Sequence, residues 1–183
     1  MSETRVSNRY AKSLLDLAKE KNSVEQVFGD ISSFKTALDK NPALANLMKS
    51  PIVNGDKKLA VVKQLFANAF NPVTMTFFEI VIRKKREYFA YDIAQAFIGQ
   101  YNLLNNITTA SVVTAVSLSD SNQQEIKSLI EKGTGKKVIL STKVDPSLIG
   151  GLVVQIEGKL LDASISGKLR KAKQELINTY ISK

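Results

Sequence analysis

Cysteine, histidine and tryptophan are all absent from this chain. Without cysteine there is no disulfide, no thiol nucleophile and no thiolate metal site. Without histidine the commonest general base and the commonest transition-metal ligand are missing. No apolar run approaches the ~20 residues that a membrane-spanning helix requires. The opening stretch Met-Ser-Glu-Thr-Arg-Val-Ser-Asn-Arg-Tyr lacks the apolar centre of a secretory signal. Together these absences lead us to expect no metal, no cofactor, no direct membrane insertion and a cytosol-facing location, soluble or peripheral.

What is present is ordinary globular material with a basic bias. Apolar residues make up 44% of the 183 positions, enough for a packed core. There are 26 Lys and Arg against 17 Asp and Glu, a formal charge of +9. Such a balance admits nucleic acid, an anionic membrane surface or an acidic protein partner. All four prolines follow Ser, Asn or Asp, so each marks an element boundary.

The first hundred residues carry helical periodicity throughout. Val6, Tyr10, Leu14 and Leu17 form a stripe that Ala11, Leu15 and Ala18 widen. Ser23 and Gln26 have the spacing of a capping box. They open a second helix with Val24, Val27, Phe28, Ile31, Phe34 and Leu38 on one face. Asn41-Pro42 reads as a cap and first helical position, followed by Leu44, Leu47 and Met48. A fourth helix carries Leu59, Val62, Leu65, Phe66 and Ala69. Asn71-Pro72 repeats the cap signal and starts a fifth, with Phe77, Phe78, Ile80 and Val81. Beyond Arg83-Lys84-Lys85-Arg86, a sixth carries Phe89, Ile93, Phe97, Tyr101 and Leu104.

The pattern changes at Asn105-Asn106. Ile107 to Leu118 is rich in Thr, Val and Ser, which suits a strand. Ser119 caps a helix with Ile126, Leu129 and Ile130 inward, ended by Gly133. Lys136 to Val144 reads as a strand, then Asp145-Pro146 turns the chain. Gly150-Gly151 marks a bulge or tight entry to a strand over Leu152 to Ile156. Glu157-Gly158 returns it as a hairpin through Lys159 to Asp162. From Ser166 the period becomes helical, with Ile165, Leu169, Ala172, Leu176 and Tyr180 on one face expected to cover the sheet. The expected fold class is α+β: a six-helix bundle over residues 1–105, then a small α/β domain over 106–183 with a mixed sheet and two helices.

Catalytic motifs do not survive inspection. A phosphate loop needs Gly, four residues, then Gly-Lys-Ser/Thr. Gly135-Lys136 is followed by Lys137, and Gly158-Lys159 by Leu160. Asp145 and Asp162 sit where turns and caps use carboxylates. A Ser164 or Ser166 dyad with Lys168 fails because an exposed lysine of pKa about 10.4 is a poor base. The basic clusters at Arg83 to Arg86 and at Lys168, Arg170, Lys171 and Lys173 read either as solvated faces or as docking surfaces for acidic helices. A basic nucleic-acid-binding adaptor is the alternative reading, but the aromatics sit at helical-core spacing rather than on a reading element.

Two motifs carry a resemblance. Gly150-Gly151, Leu152, Val154, Ile156, Leu161, Asp162, Ser164, Ile165, Gly167, Lys168 and Leu169 resemble the C-terminal signature of the delta subunit of F-type ATP synthases, called OSCP in mitochondria. Arg9-Tyr10-Ala11-Lys12-Ser13-Leu14 matches the same family near the N-terminus. Ala163 stands where Gly is frequent, and Lys168 where Arg is frequent. The resemblance implies a non-catalytic stator subunit on the cytoplasmic side of the inner membrane, peripheral, joining the catalytic headpiece to the b subunits of the peripheral stalk. It implies that the first and fifth helices hold the N-terminal helix of an alpha subunit. The site residues are then Tyr10, Ser13, Leu14, Leu17, Ile80 and Lys84, with no nucleic acid among the partners. It also implies that the C-terminal domain binds the C-terminal helices of the stalk.

The break at Asn105-Asn106 generates a first prediction. A fragment of residues 1–105 should fold alone, because its six stripes can close on one another. Circular dichroism and a cooperative thermal melt check this; a disordered fragment would show the boundary to be misplaced.

Overall fold

A computed structural model describes residues 3–181, with side chains described over 4–177. The chain divides between Leu104 and Asn105 into two compact units.

The first unit contains α1 (Glu3–Glu20), α2 (Val24–Lys40), α3 (Pro42–Lys49), α4 (Gly55–Phe66), α5 (Pro72–Arg83), a 3-10 turn over Glu87–Phe89, and α6 (Ala90–Leu104). α6 is the helix that α1 and α2 both lie against most. Leu14, Val27, Ile31, Phe34, Val62, Val81 and Phe97 are fully buried. The Phe34 ring lies 4.5 Å from Phe78 and meets Phe66 edge-on at 5.7 Å, geometries that aromatic quadrupoles favour. Phe28 stacks on Tyr101 at 3.8 Å. The Tyr101 hydroxyl donates to Glu25 at 2.7 Å. Burial, and then that carboxylate, push the Tyr101 phenol up to about 12.

Several expected details are corrected here. Ser23 precedes α2, but its side chain makes no cap hydrogen bond, and its Oγ is buried without a partner. Gln26 instead accepts from the Asn71 side chain at 2.6 Å, because the chain returns across this end of α2 to begin α5. Asn71 does cap α5, accepting from Val73 N–H at 2.9 Å. The nearly buried Asp30 adds to this from another helix, accepting from the Asn71 N–H and the Thr74 hydroxyl. α4 stops at Phe66 and turns Lys58 and Val62 inward, so Leu65 and Ala69 are exposed. Lys58 is the surprise. Its ammonium is buried, donating to the Met48 carbonyl at 3.1 Å and to Glu87 at 2.9 Å. Leu104 is also exposed, since it ends α6 at the boundary between the units.

The second unit contains β1 (Ile107–Thr114), α7 (Asp120–Thr134), β2 (Lys137–Val144), a 3-10 turn over Pro146–Leu148, β3 (Leu152–Ile156), β4 (Lys159–Asp162) and α8 (Ile165–Ile181). The sheet order is β2-β1-β3-β4. β1 and β2 are parallel, with Ala110 opposite Leu140; β1 and β3 are antiparallel, with Val112 opposite Val154. The mixed sheet is thus the expected one. β1 ends at Thr114, short of Leu118, where the Thr114 hydroxyl turns onto the Val116 carbonyl at 2.7 Å. Alternate residues of β1 (Thr108, Ala110, Val112 and Thr114) are buried. Glu157 and Gly158 both take positive φ, 48° and 80°, as the two-residue hairpin demands.

α7 lies against β2 through the half-buried Gln123, Ile126 and Ile130, leaving Leu129 exposed. It runs through Gly133 and stops at Gly135, whose φ of 67° is the left-handed cap. Glu131 on α7 accepts the Val138 N–H of β2 at 3.0 Å.

α8 departs most from expectation. Leu169 and Leu176 are 58% and 63% exposed, and Ala172 is exposed too, so this face does not cover the sheet. Tyr180 lies outside the residues whose side chains are described. The helix is held at its first turn and touches mainly the 3-10 turn before β3. Ser164 caps it, its Oγ accepting the Gly167 N–H at 3.0 Å. Asp162 accepts both the Ser164 hydroxyl at 2.6 Å and the Ser164 N–H at 2.9 Å. A Cβ on Gly167 would strike that carboxylate, and one on Gly151, at φ 77°, would strike the Ala163 carbonyl. Ile165 N–H donates to the Gly150 carbonyl at 2.9 Å. The signature glycines are therefore the places where this knot closes, and the knot fixes only the start of α8.

Two predictions follow from the knot. Gly→Ala inside a helix ordinarily stabilises by roughly 1 kcal/mol. Here Gly167→Ala should destabilise by about 1–3 kcal/mol, whereas Leu169→Ala should change stability by less than ~0.5 kcal/mol. Urea unfolding of both variants checks the pair, and equal shifts would refute the assignment. The second concerns pH. The Ser164 hydroxyl and N–H hold the Asp162 carboxyl below its ordinary value, with Arg170 and Lys171 adding to them. The folded state thus takes up that proton less readily than the unfolded one. The stabilisation is complete above the ordinary carboxylate value of about 3.9 and is lost as pH falls through the lowered one. The stability gap between the native chain and Asp162→Asn should be full at neutral pH and close on acidification below about pH 4; a gap that stays constant to acid would refute it.

Candidate docking site on α1 and α5

The two helices named by the sequence are neighbours. α1 buries Ser7, Ala11, Leu14 and Ala18 along one stripe, the i, i+4, i+7, i+11 spacing of one helix face. Tyr10 and Leu17, beside that stripe, are only half-buried. Tyr10 meets Phe77 of α5 edge to face, with ring centroids 6.5 Å apart. That contact fixes the seam between the helices.

On α5 the four large apolar residues separate. Phe77, Phe78 and Val81 are buried, while Ile80 is 46% exposed. A helix advances 100° per residue, so four such residues in five positions cannot all face one core. Lys84 follows Ile80 by one turn and is exposed. Ser13 is exposed, and its hydroxyl donates to the Arg9 carbonyl at 3.0 Å. With its proton held inside α1, Ser13 presents little more than a small surface.

The six expected residues therefore play different parts. Tyr10, Ser13, Leu17, Ile80 and Lys84 reach the surface. Leu14 is wholly buried, so its side chain is not presented at the surface. Phe77, not among the six, is buried, and its contact with Tyr10 makes it the floor of the seam. The signal for this was present as the Phe77, Ile80, Lys84 spacing of three and four.

The C-terminal end of α5 is strongly basic. Arg83, Lys84, Lys85 and Arg86 are all exposed. The nearest acid on the helix, Glu79, is paired with Lys63 at 2.6 Å, which holds its carboxyl below the ordinary range with a smaller effect from Arg83.

Chemistry is poorly provided for elsewhere. Among the described residues no group of His, Cys, Asp or Glu could hold a metal ion. Ser164 is engaged as a helix cap between Asp162 and Gly167, so its oxygen is not presented as a nucleophile. A cleft between the α3–α4 loop, the end of α5 and the 3-10 turn has the Lys58–Glu87 pair among its walls. A second apolar surface is offered by α8, where Ile165, Leu169, Leu176 and Ile177 are all substantially exposed. Among the described residues no helix is long and apolar enough to cross a membrane.

Comparison with known proteins gives a consistent result. The family described as ATP synthase delta (OSCP) subunit matches residues 6–176. An ATP synthase subunit delta of Chlorobium phaeobacteroides is 35% identical, over 96% of this chain and 98% of that protein. One of Cytophaga hutchinsonii is 32% identical over the full length of both. In fold, the chain is similar to one in the mitochondrial ATP synthase hexamer of Toxoplasma gondii, with a TM-score of 0.75 and 24% identity over 93% of this chain and 97% of that one. The two sequence motifs, the mixed helix-and-sheet architecture and these full-length matches agree: the chain belongs to the ATP synthase delta (OSCP) subunit family.

Proposed function

We propose that this chain, a structural and non-catalytic component of an F-type ATP synthase, is the joint of the stator. Its first unit, acting as a six-helix bundle and a separate domain, holds the N-terminal helix of an alpha subunit in the seam between α1 and α5. Its second unit receives the C-terminal helices of the b subunits, with the apolar face of α8 as the docking surface. The chain then sits peripherally on the cytoplasmic side of the inner membrane, and joining headpiece to stalk resists the torque of the rotor.

The observation that carries the reading is Ile80. A large aliphatic side chain is half exposed beside a seam whose floor, Phe77, is buried and whose flanking residues Tyr10 and Leu17 are half-buried. An amphipathic helix laid there by its i, i+3, i+4 anchors would cover Ile80 and the outer parts of Tyr10 and Leu17. Such a site needs no cofactor, and its energy comes from apolar burial at a few anchors.

The test uses two variants of the full chain and a synthetic peptide of the alpha N-terminus. Ile80→Asp should melt like the native protein, because its side chain reaches solvent. Its affinity for the peptide, measured by calorimetry, should fall by ~2 kcal/mol or more, which is roughly thirtyfold. Leu14→Asp should lower the melting temperature sharply, since it buries an unpaired carboxylate. Native affinity in a folded Ile80→Asp variant would remove the groove from this reading.

A further inference from the structure

The two ends of α5 differ in charge, and that difference bears on which way round a helix can lie in the seam. At the C-terminal end, four consecutive cations are exposed. They are held by a tight turn in which Lys85 N–H donates to the Ile82 carbonyl and Arg86 N–H to the Val81 carbonyl, both at 2.9 Å. That pair of bonds is the Schellman ending of a helix, and its left-handed position normally belongs to glycine. Here Lys85 occupies it at φ 56°. A charged residue stands where glycine would fit with less strain, and the backbone around it is pinned. Among the described residues none of the four cations forms a salt bridge.

The N-terminal end of α5 offers nothing comparable. Its first turn has no basic or acidic residue. The Asn71 side chain is engaged with Val73 and Gln26, and the nearly buried Asp30 carboxylate is engaged by the Asn71 N–H and the Thr74 hydroxyl. An acidic group from a partner would find exposed cations only at the C-terminal end of α5.

Resting on the groove reading above, we propose that the docked helix lies antiparallel to α5, with acidic residues of its own first turn over the Arg83–Arg86 turn. Acidic side chains are stabilised in the first turn of a helix and cations in the last by the backbone dipole. An antiparallel visitor therefore brings its acidic, positive-dipole end to the cationic, negative-dipole end of α5. Charge sets the direction and speeds the encounter, while the apolar seam holds the complex once formed.

The chain has no cysteine, so single introduced thiols report direction cleanly. Arg86→Cys places one just past the C-terminal end of α5 and Thr76→Cys one in its second turn, both at exposed positions. The probe is a synthetic alpha N-terminal peptide carrying one cysteine in either its first or its last helical turn. Under mild oxidation, Arg86→Cys should form a disulfide with the first-turn peptide, and Thr76→Cys with the last-turn peptide. The reverse pairing would overturn the direction while leaving the groove in place. A peptide that binds but links to neither position would remove the groove reading and this inference with it. A second arm tests charge as the cause. Lys84→Gln/Lys85→Gly/Arg86→Gln keeps the turn, because glycine is at ease at the left-handed position. Its association rate at low salt should fall about tenfold, with dissociation unchanged and the difference lost at high salt. An unaltered association rate would overturn the proposed role of the cations.

Discussion

The first unit depends on how α1 is packed. Its inward face contains Ser7, Ala11 and Ala18 beside Leu14 and Leu15. Small side chains let neighbouring helix axes come close, and α6 is the neighbour that α1 lies against most. Gln100 of α6 adds a hydrogen bond to the Asn8 carbonyl at 3.0 Å. With α1 committed to α6 along that stripe, its larger residues Tyr10 and Leu17 are turned to the flank where α5 runs. The seam is a by-product of the close contact on the other side. Bulkier residues at Ala11 or Ala18 would push α1 away from α6 and shift the Tyr10–Phe77 contact with it.

The second unit is governed by a different device. Its sheet is centred on β1, which pairs with β2 on one edge and β3 on the other. What ties the hairpin to the last helix is a local knot of Asp162, Ser164, Gly167 and Gly151 rather than a broad apolar face. Each member is matched to a steric or hydrogen-bonding need: an acceptor for two donors, a cap, and two positions without room for a Cβ. This explains how α8 can start from a rigid point and still leave most of its length exposed.

The legible parts of the fold were those written in periodicity and in turn chemistry. Asn71-Pro72, Ser119, Asp145 and Glu157-Gly158 all mark real boundaries, because their conformational preferences act within a few residues. Less legible were features that depend on what comes back from far along the chain. Gln26 has the spacing of a capping partner but is taken by Asn71. Lys58 looks like a solvated charge, yet Glu87, twenty-nine residues later, makes its burial tolerable. For α8 the amphipathic stripe was read correctly as apolar but assigned to the wrong neighbour; periodicity says that a face is apolar, not what covers it. The site shows the same division. Ile80 could be singled out because four large residues in five positions cannot share a face, whereas nothing local distinguishes the buried Leu14 from the half-exposed Leu17.

The hydrogen bond from the Val138 N–H to Glu131 has a bearing on the solubility of this small sheet. β2 is an edge strand, and an exposed edge is a template on which another molecule's strand can grow. Its first half carries Val138, Ile139 and Leu140, the sort of apolar run from which aggregates are seeded. The Glu131 carboxylate occupies the donor at the start of that run, and Lys137 and Lys143 put charges at either end of the strand. A strand approaching from solvent would have to displace the carboxylate before making its first bond there. One side chain, reaching down from the helix above, thereby guards one of the two edges at which the sheet is open to polymerisation.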